Sequence, residues 1–263
     1  MNKNVKGLII ISVHLLILMG VGMAWMWSIR EQRVSKSNKV QVNILRSNNE
    51  NILITEQELL THISQILKKD FRKVRVSSLN LKNIESVAKS LPVIASAEVF
   101  IDANNTLNVQ AIQRDPLFRI VDHNGEQFYI DSEGNKIPYS KNYSARVPVV
   151  TGNIPSLAGN TIWRKENQIF HSIFGIVKSI NDDPFTKSLI EQINIDDLGQ
   201  YSLVPKVGNE KIVIGKLNNL QDKLSRLKFF YQEGLRYEGW NVYETIDLKN
   251  DNQVVCKKYE SET

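Results

Sequence analysis

The chain has 263 residues, 42% of them hydrophobic, and a formal net charge of +5 at neutral pH, enough length for one large or two modest domains with cores of their own. All 28 acidic residues and 31 of the 33 lysines and arginines follow residue 29, so that part is only mildly basic, and no charge stripe marks a nucleic-acid surface. A single cysteine, Cys256, excludes an internal disulfide.

Leu8 to Ile29 runs 22 residues without a charge, its most polar members being Ser12, His14 and Ser28. As a helix this run is long enough to cross a hydrocarbon core of about 30 Å. Lys3 and Lys6 flank one end, Arg30 and Arg33 the other, and Trp25 and Trp27 lie where amphipathic rings favour the headgroup level. The expected order is a short N-terminal tail (1–7), a transmembrane helix (8–29) and a polar linker (30–39). The competing reading is a cleaved signal peptide, with Gly22-Met23-Ala24 as a small-x-small site. Trp25-Met26-Trp27 would make a poor start for a mature domain, which favours a retained anchor. The positive residues, Lys3 and Lys6 before the run and Arg30, Arg33, Lys36 and Lys39 after it, favour a cytoplasmic C-terminus. Long domains are translocated largely regardless of such charges, so the count does not set the topology. Gly20, Ala24 and Ser28 line one helix face at the spacing that lets a second helix approach, and His14 is placed for an interhelical hydrogen bond.

Val40 to Leu45 alternates as a half-buried strand does. Thr55-Glu56-Gln57-Glu58 is a capping box, opening a helix with Leu59, Ile63, Ile66 and Leu67 on its apolar stripe. Leu81, Ile84, Val87, Ala88 and Leu91 mark a second helix, stopped at Pro92. Val93 to Asp102 and Thr106 to Arg114 read as strands about the turn Ala103-Asn104-Asn105, with Val93, Ala97, Val99, Leu107 and Val109 as core or packing positions. The turn Asp131-Ser132-Glu133-Gly134 follows, lacking the sixth-position glycine and distal glutamate of a calcium loop. A helix is predicted over Thr161 to Ile180, with Ile169, Ile173, Ile176 and Ile180 inward, ended by Asn181-Asp182-Asp183-Pro184. Strands are expected at Leu189 to Ile195, Tyr201 to Val207 and Lys211 to Ile214. Leu220, Leu224, Leu227 and Tyr231 mark a helix opened by Asn218 and closed near Gly239. Val242 to Leu248 and Val254 to Tyr259 are the last strands. The fold class is α+β: a single transmembrane helix, a βααββ domain (40–115), and a mainly antiparallel β domain with two packed helices (116–259), then a disordered tail (260–263).

The βααββ order after a span resembles the POTRA (polypeptide-transport-associated) domain. Pro92-Val93-Ile94-Ala95-Ser96-Ala97-Glu98-Val99 is similar to the family's entry into its second strand. Asn105-Thr106-Leu107-Asn108-Val109 and Gln113-Arg114-Asp115-Pro116 are similar to the hairpin partner and exit of the bacterial cell-division family FtsQ/DivIB. Tyr129-Ile130-Asp131-Ser132-Glu133-Gly134 resembles that family's D-x-x-G turn, Val147 to Gly152 its "lPvltG" segment, and Ile246-Asp247-Leu248-Lys249 its "iDLR" strand. Gln113 stands where Glu is usual, Lys249 replaces Arg, and Ala103-Asn104 replaces Trp-Pro.

The resemblance implies a non-enzymatic, single-pass inner-membrane protein at the division septum, N-terminus cytoplasmic and C-terminal domain periplasmic. Its implied partners are FtsB and FtsL-like division proteins, other divisome membrane proteins and the lipid bilayer, with no nucleic acid. Binding is expected by β-strand addition at the C-terminal edge, through Asn250, Val254, Val255, Cys256, Lys257, Lys258 and Tyr259. Gln253, Val255, Lys257 and Tyr259 share one face of this strand, and Val254, Cys256 and Lys258 the other; which face packs on the helices stays open. Lys257 and Lys258 also suit an edge protected against aggregation.

Catalytic, cofactor and metal signatures are absent from the sequence: the histidines at 14, 62, 123 and 171 lack zinc-ligand spacing, and no nucleophile elbow, Walker loop or dinucleotide fingerprint occurs. His171 reads as solvated and Asp182-Asp183 as a helix stop. A POTRA-containing outer-membrane assembly or transport factor is the alternative, without a discernible barrel; an exported, membrane-anchored hydrolase would need acids assembled by folding.

Overall fold

The computed structural model describes residues 3–34, 39–47, 52–71, 74, 78–140, 143–239 and 242–259. It divides into two compact units, Met1–Leu45 with Ile54–Gln113, and Arg46–Leu53 with Arg114–Thr263. Helix α1 spans Lys3–Val34, so it outruns the uncharged stretch at both ends; residues 30–34 contain neither Gly nor Pro to stop it. What remains of the expected linker, 35–38, and the tail 260–263 lie outside the described residues. Side chains of α1 are described from Val13 to Ser28, all exposed except half-buried Gly22. Among the described residues no helix is long and apolar enough to cross a membrane, and the uncharged run extends beyond the described side chains, Val13 to Ser28, at both ends.

In the first unit β1 (Lys39–Leu45), α2 (Glu56–Leu67), α3 (Leu81–Lys89), β2 (Ile94–Ile101) and β3 (Thr106–Gln113) follow the expected βααββ order. The sheet order is β1-β3-β2, with β1 parallel and β2 antiparallel to β3. The capping box is complete: Glu58 N–H donates to Thr55 Oγ1 at 3.2 Å and Thr55 N–H to Glu58 Oε2 at 2.8 Å. Lys68 then ends α2 in the left-handed conformation, φ 50°. Leu59 and Ile63 are fully buried against Ile84 and Ala88 of α3 and the sheet residues Ala97, Val99, Leu107 and Val109. Burying each large aliphatic side chain here contributes roughly 1.5–3 kcal/mol. Val93 packs on this core only partly, and Ile66, predicted on the apolar stripe, is exposed because it falls at the edge of the buried arc.

The second unit holds β4 (Pro116–Val121), β5 (Gln127–Asp131), β6 (Lys136–Pro138), β7 (Val149–Gly152), α4 (Gln168–Asp182), α5 (Pro184–Leu189), β8 (Ile190–Ile195), β9 (Tyr201–Pro205), β10 (Lys211–Gly215), α6 (Leu220–Phe229), α7 (Leu235–Glu238), β11 (Tyr243–Asp247) and β12 (Val255–Lys258). They build one nine-stranded sheet, order β12-β11-β10-β9-β8-β7-β4-β5-β6. The sheet is mixed: β4–β7, β7–β8 and β10–β11 are parallel and the other pairs antiparallel. Two of the parallel pairs are forced by helices, because a strand that returns through a helical crossover runs in its starting direction. The crossover from β7 to β8 carries α4 and α5, and that from β10 to β11 carries α6. α4 packs on α6 over a core that includes Phe170, Ile173, Ile176, Ile180, Leu224 and Leu227.

Several local expectations are corrected. α4 begins at Gln168, after a 3-10 turn at Lys165–Asn167, and not at Thr161. Buried Asn167 holds the preceding loop open: its Oδ1 accepts from Ala158 N–H at 3.0 Å and its Nδ2 donates to the Thr161 carbonyl at 2.8 Å. His171 is not simply solvated, since Nε2 donates to the Ile162 carbonyl at 2.7 Å and the ring lies 5.2 Å from that of Trp163. Asp183 does more than stop α4. It caps the unforeseen helix α5 and pairs with Lys228 at 2.7 Å; that hydrogen bond, with the α5 N–H groups, holds its carboxyl below the usual range. Asn219, at φ 52°, and not Asn218, occupies the N-cap position of the next helix, without a side-chain capping bond, and the helix continues through a π-turn, Phe230–Gly234, into α7.

Candidate partner-binding edge

β12 is one margin of the nine-stranded sheet, pairing on one side with β11. The hairpin forms locally, with Asn252 supplying the positive φ of its turn, 58°. From the helix layer, Arg226 closes on it: Nη1 donates to the carbonyls of Asn250, at 3.0 Å, and Gln253, and Nη2 to that of Leu248 at 3.3 Å. Asp222 holds the same guanidinium at 2.8 Å one turn earlier. Arg226 therefore ties the terminal hairpin to α6 through three backbone carbonyls. Only its i,i+4 spacing from Asp222 was visible in the sequence, and that spacing says nothing about the hairpin.

The packing face of β12 is now assigned. Val254 and Cys256 are half-buried against the main core, whereas Gln253, Val255, Lys257 and Tyr259 are exposed. Burial raises the Cys256 thiol above its usual 9.0, so it is a packed thiol and not an activated one. Lys257 pairs with Glu244 at 2.6 Å, and Lys258 lies 5.7 Å from the Tyr243 ring centre, itself against Phe230. Asn250, the first residue of the expected edge, is in the turn, where its carbonyl serves Arg226.

The backbone also has a defined outer side. Tyr259 N–H donates inward to the Val242 carbonyl at 3.3 Å, and Leu248 N–H donates to Val213 of β10 at 2.9 Å. Hydrogen-bonding direction alternates along a strand, so Asp247, Thr245 and their partners Val255 and Lys257 face one another. Cys256 consequently aims its N–H and C=O groups away from β11. Cys256 thus presents an outward donor and acceptor at the sheet margin, flanked by the Val255 and Tyr259 side chains on the exposed face.

The residues expected to make contacts within a membrane span lie elsewhere. His14, Gly20, Ala24 and Ser28 are exposed on α1, with Gly20, Ala24 and Ser28 on one face at intervals of four. An added Cβ at Gly20 would meet nothing within 4 Å. Among the described residues no three His, Cys, Asp or Glu side chains gather as a metal site.

A family model described as FtsQ/DivIB, C-terminal related, matches residues 115–257, more than half of the chain, from the entry into β4 to the middle of β12.

Proposed function

The chain belongs to the FtsQ/DivIB family of cell-division proteins, and from that premise we propose that it is a non-enzymatic connector of the septal machinery that takes a partner strand on β12. The outward-facing N–H and C=O groups of Cys256, on a strand paired only with β11, carry this reading. A strand added there would gain backbone hydrogen bonds for affinity, while contacts with Val255, Lys257 and Tyr259 would give specificity. The fitting partners are FtsB and FtsL-like division proteins.

Anchoring belongs to the same proposal. Leu8 to Ile29 is uncharged and apolar on every helix face, and Leu15, Leu16 and Leu18 are each more than 60% exposed. Such a surface is stable in hydrocarbon and costly in water. We place the N-terminus in the cytoplasm and the two folded units in the periplasm, at the septum of the inner membrane. Protease added outside that membrane should digest both units and spare a short N-terminal fragment; a mature protein starting at Trp25 would refute the anchor.

The edge is tested by proline, which removes a donor. Cys256→Pro should abolish co-purification with the FtsB–FtsL pair while leaving circular dichroism unchanged, whereas Cys256→Ala should retain binding. Lys257→Pro, which breaks a bond to β11, should disturb the hairpin itself. Full binding by folded Cys256→Pro, or by a folded chain lacking Val254 to Thr263, would overturn the proposal.

A further inference from the structure

The second unit contains a half-open cleft of about 630 Å³, whose lining includes Arg119, Arg146, Lys187 and Lys206. One carboxylate, Glu191, lines it with them, so the wall carries an excess of three positive charges. Four separate parts of the fold supply the cations. Arg119 is on β4, Arg146 is in the loop before β7, Lys187 is on α5 and Lys206 follows β9. Backbone bonds hold these parts together: Arg119 N–H donates to the Pro148 carbonyl at 2.9 Å, and Lys206 N–H to that of Leu189 at 2.7 Å. Lys206 Nζ also donates to the Lys187 carbonyl at 3.2 Å, bringing two like charges to one rim.

The cations are short of partners. Among the described residues, none of the four forms an ion pair, and the Nε of Arg119 is buried without a hydrogen-bond acceptor. A buried donor left unpaired is destabilising, so the site gains from an incoming acceptor. A guanidinium also offers the planar donor pair that matches a carboxylate. Leu117, Val147 and Ile190 supply apolar lining between the charges.

We propose that this cleft binds an acidic peptide segment of a partner protein, with carboxylates on Arg119 and the cationic rim and apolar side chains between them. The volume favours such a segment over a lone inorganic anion, because clefts of roughly 300–1,000 Å³ accommodate ligands of many atoms. This site is independent of the β12 edge, and neither proposal requires the other.

The test uses the full chain in detergent and a fluorescein-labelled heptapeptide alternating glutamate with leucine or valine. Fluorescence anisotropy at low salt should show saturable binding that weakens about tenfold or more in Arg119→Gln, as loss of a charge-assisted bond predicts. The triple variant Arg146→Gln, Lys187→Gln, Lys206→Gln, altered only at exposed positions, should weaken it similarly without a folding question. An equal loss in the control Lys165→Gln, Lys178→Gln, Lys211→Gln would reduce the effect to net charge and overturn the proposal. Equal binding of the glutamine version of the peptide would overturn it, as would no binding at all. Binding of inorganic pyrophosphate at Arg119 with no binding of the peptide would make this a phosphate site and also overturn it.

Discussion

Arg114 and Asp131 form an ion pair at 2.6 Å, with the two side chains 18% and 5% exposed. The pair joins the residues just before β4 to the end of β5. Asp131 also organises the turn that follows, its Oδ1 accepting from Glu133 N–H at 2.9 Å and Asn135 N–H at 2.8 Å. Two motifs that are 17 residues apart in sequence are thus one electrostatic unit.

Removing the acid should leave Arg114 with only the exposed Glu133, at 3.2 Å, and release the turn. Asp131→Ala is therefore expected to cost about 3 kcal/mol and lower the melting temperature by roughly 6–12 °C. Arg114→Lys, which keeps the charge but loses the planar fork, should cost less. Thermal unfolding followed by circular dichroism checks both.

Gly152 closes the Val147-to-Gly152 motif for a steric reason. Its φ is +107°, and an added Cβ would stand 2.0 Å from the Ile195 carbonyl oxygen on neighbouring β8. Backbone cannot yield as a side chain end can, so Gly152→Ala should cost about 2 kcal/mol or more. Gly125, φ +79° with nothing within 4 Å of the added atom, is the control. Gly125→Ala should cost only about 1 kcal/mol, the conformational term alone. Urea unfolding midpoints would separate the two.

Arg226 should govern how firmly the terminal hairpin is held. Arg226→Leu keeps the apolar stem but deletes the bonds to the Leu248, Asn250 and Gln253 carbonyls. We expect a loss of about 2 kcal/mol. Amide exchange should accelerate in β11 and β12 before it does in β8 or β9, with partner binding weakened in parallel. Uniform acceleration across the sheet would contradict this local role.

Asp122 makes stability pH-dependent. Burial alone would raise its carboxyl, but the Ser156 hydroxyl, the N–H groups of Glu126 and Asn124, and His123 hold it below the usual 3.8. With the folded value below the unfolded one, its stabilisation is present above 3.8 and is lost as the pH falls through the folded value. Asp122→Asn should be destabilised relative to the parent at neutral pH, and the difference should shrink on acidification. Denaturation midpoints measured from pH 7 to pH 2 test the sign.

The sequence by itself determined what depends on near neighbours. The Thr55–Glu58 cap, the period of Leu59 and Ile63, the βααββ order and the turn at Gly134 are all encoded within one or two turns of chain, and the structure places them as read. Short family motifs reached further, because Arg114, Asp131 and Gly152 each have one residue type that suits the position. What only the tertiary structure decided involves groups distant in sequence. The sheet is mixed because α4, α5 and α6 make crossovers, a consequence of connecting strands through helices that no strand's own pattern reveals. Asn167 postpones α4 by binding a loop, and Arg226 reaches carbonyls more than 20 residues away. Which face of β12 is exposed, and which of its amides point outward, follow from packing on the core and pairing with β11. A period of two separates the faces of a strand, but only its neighbours say which face is buried.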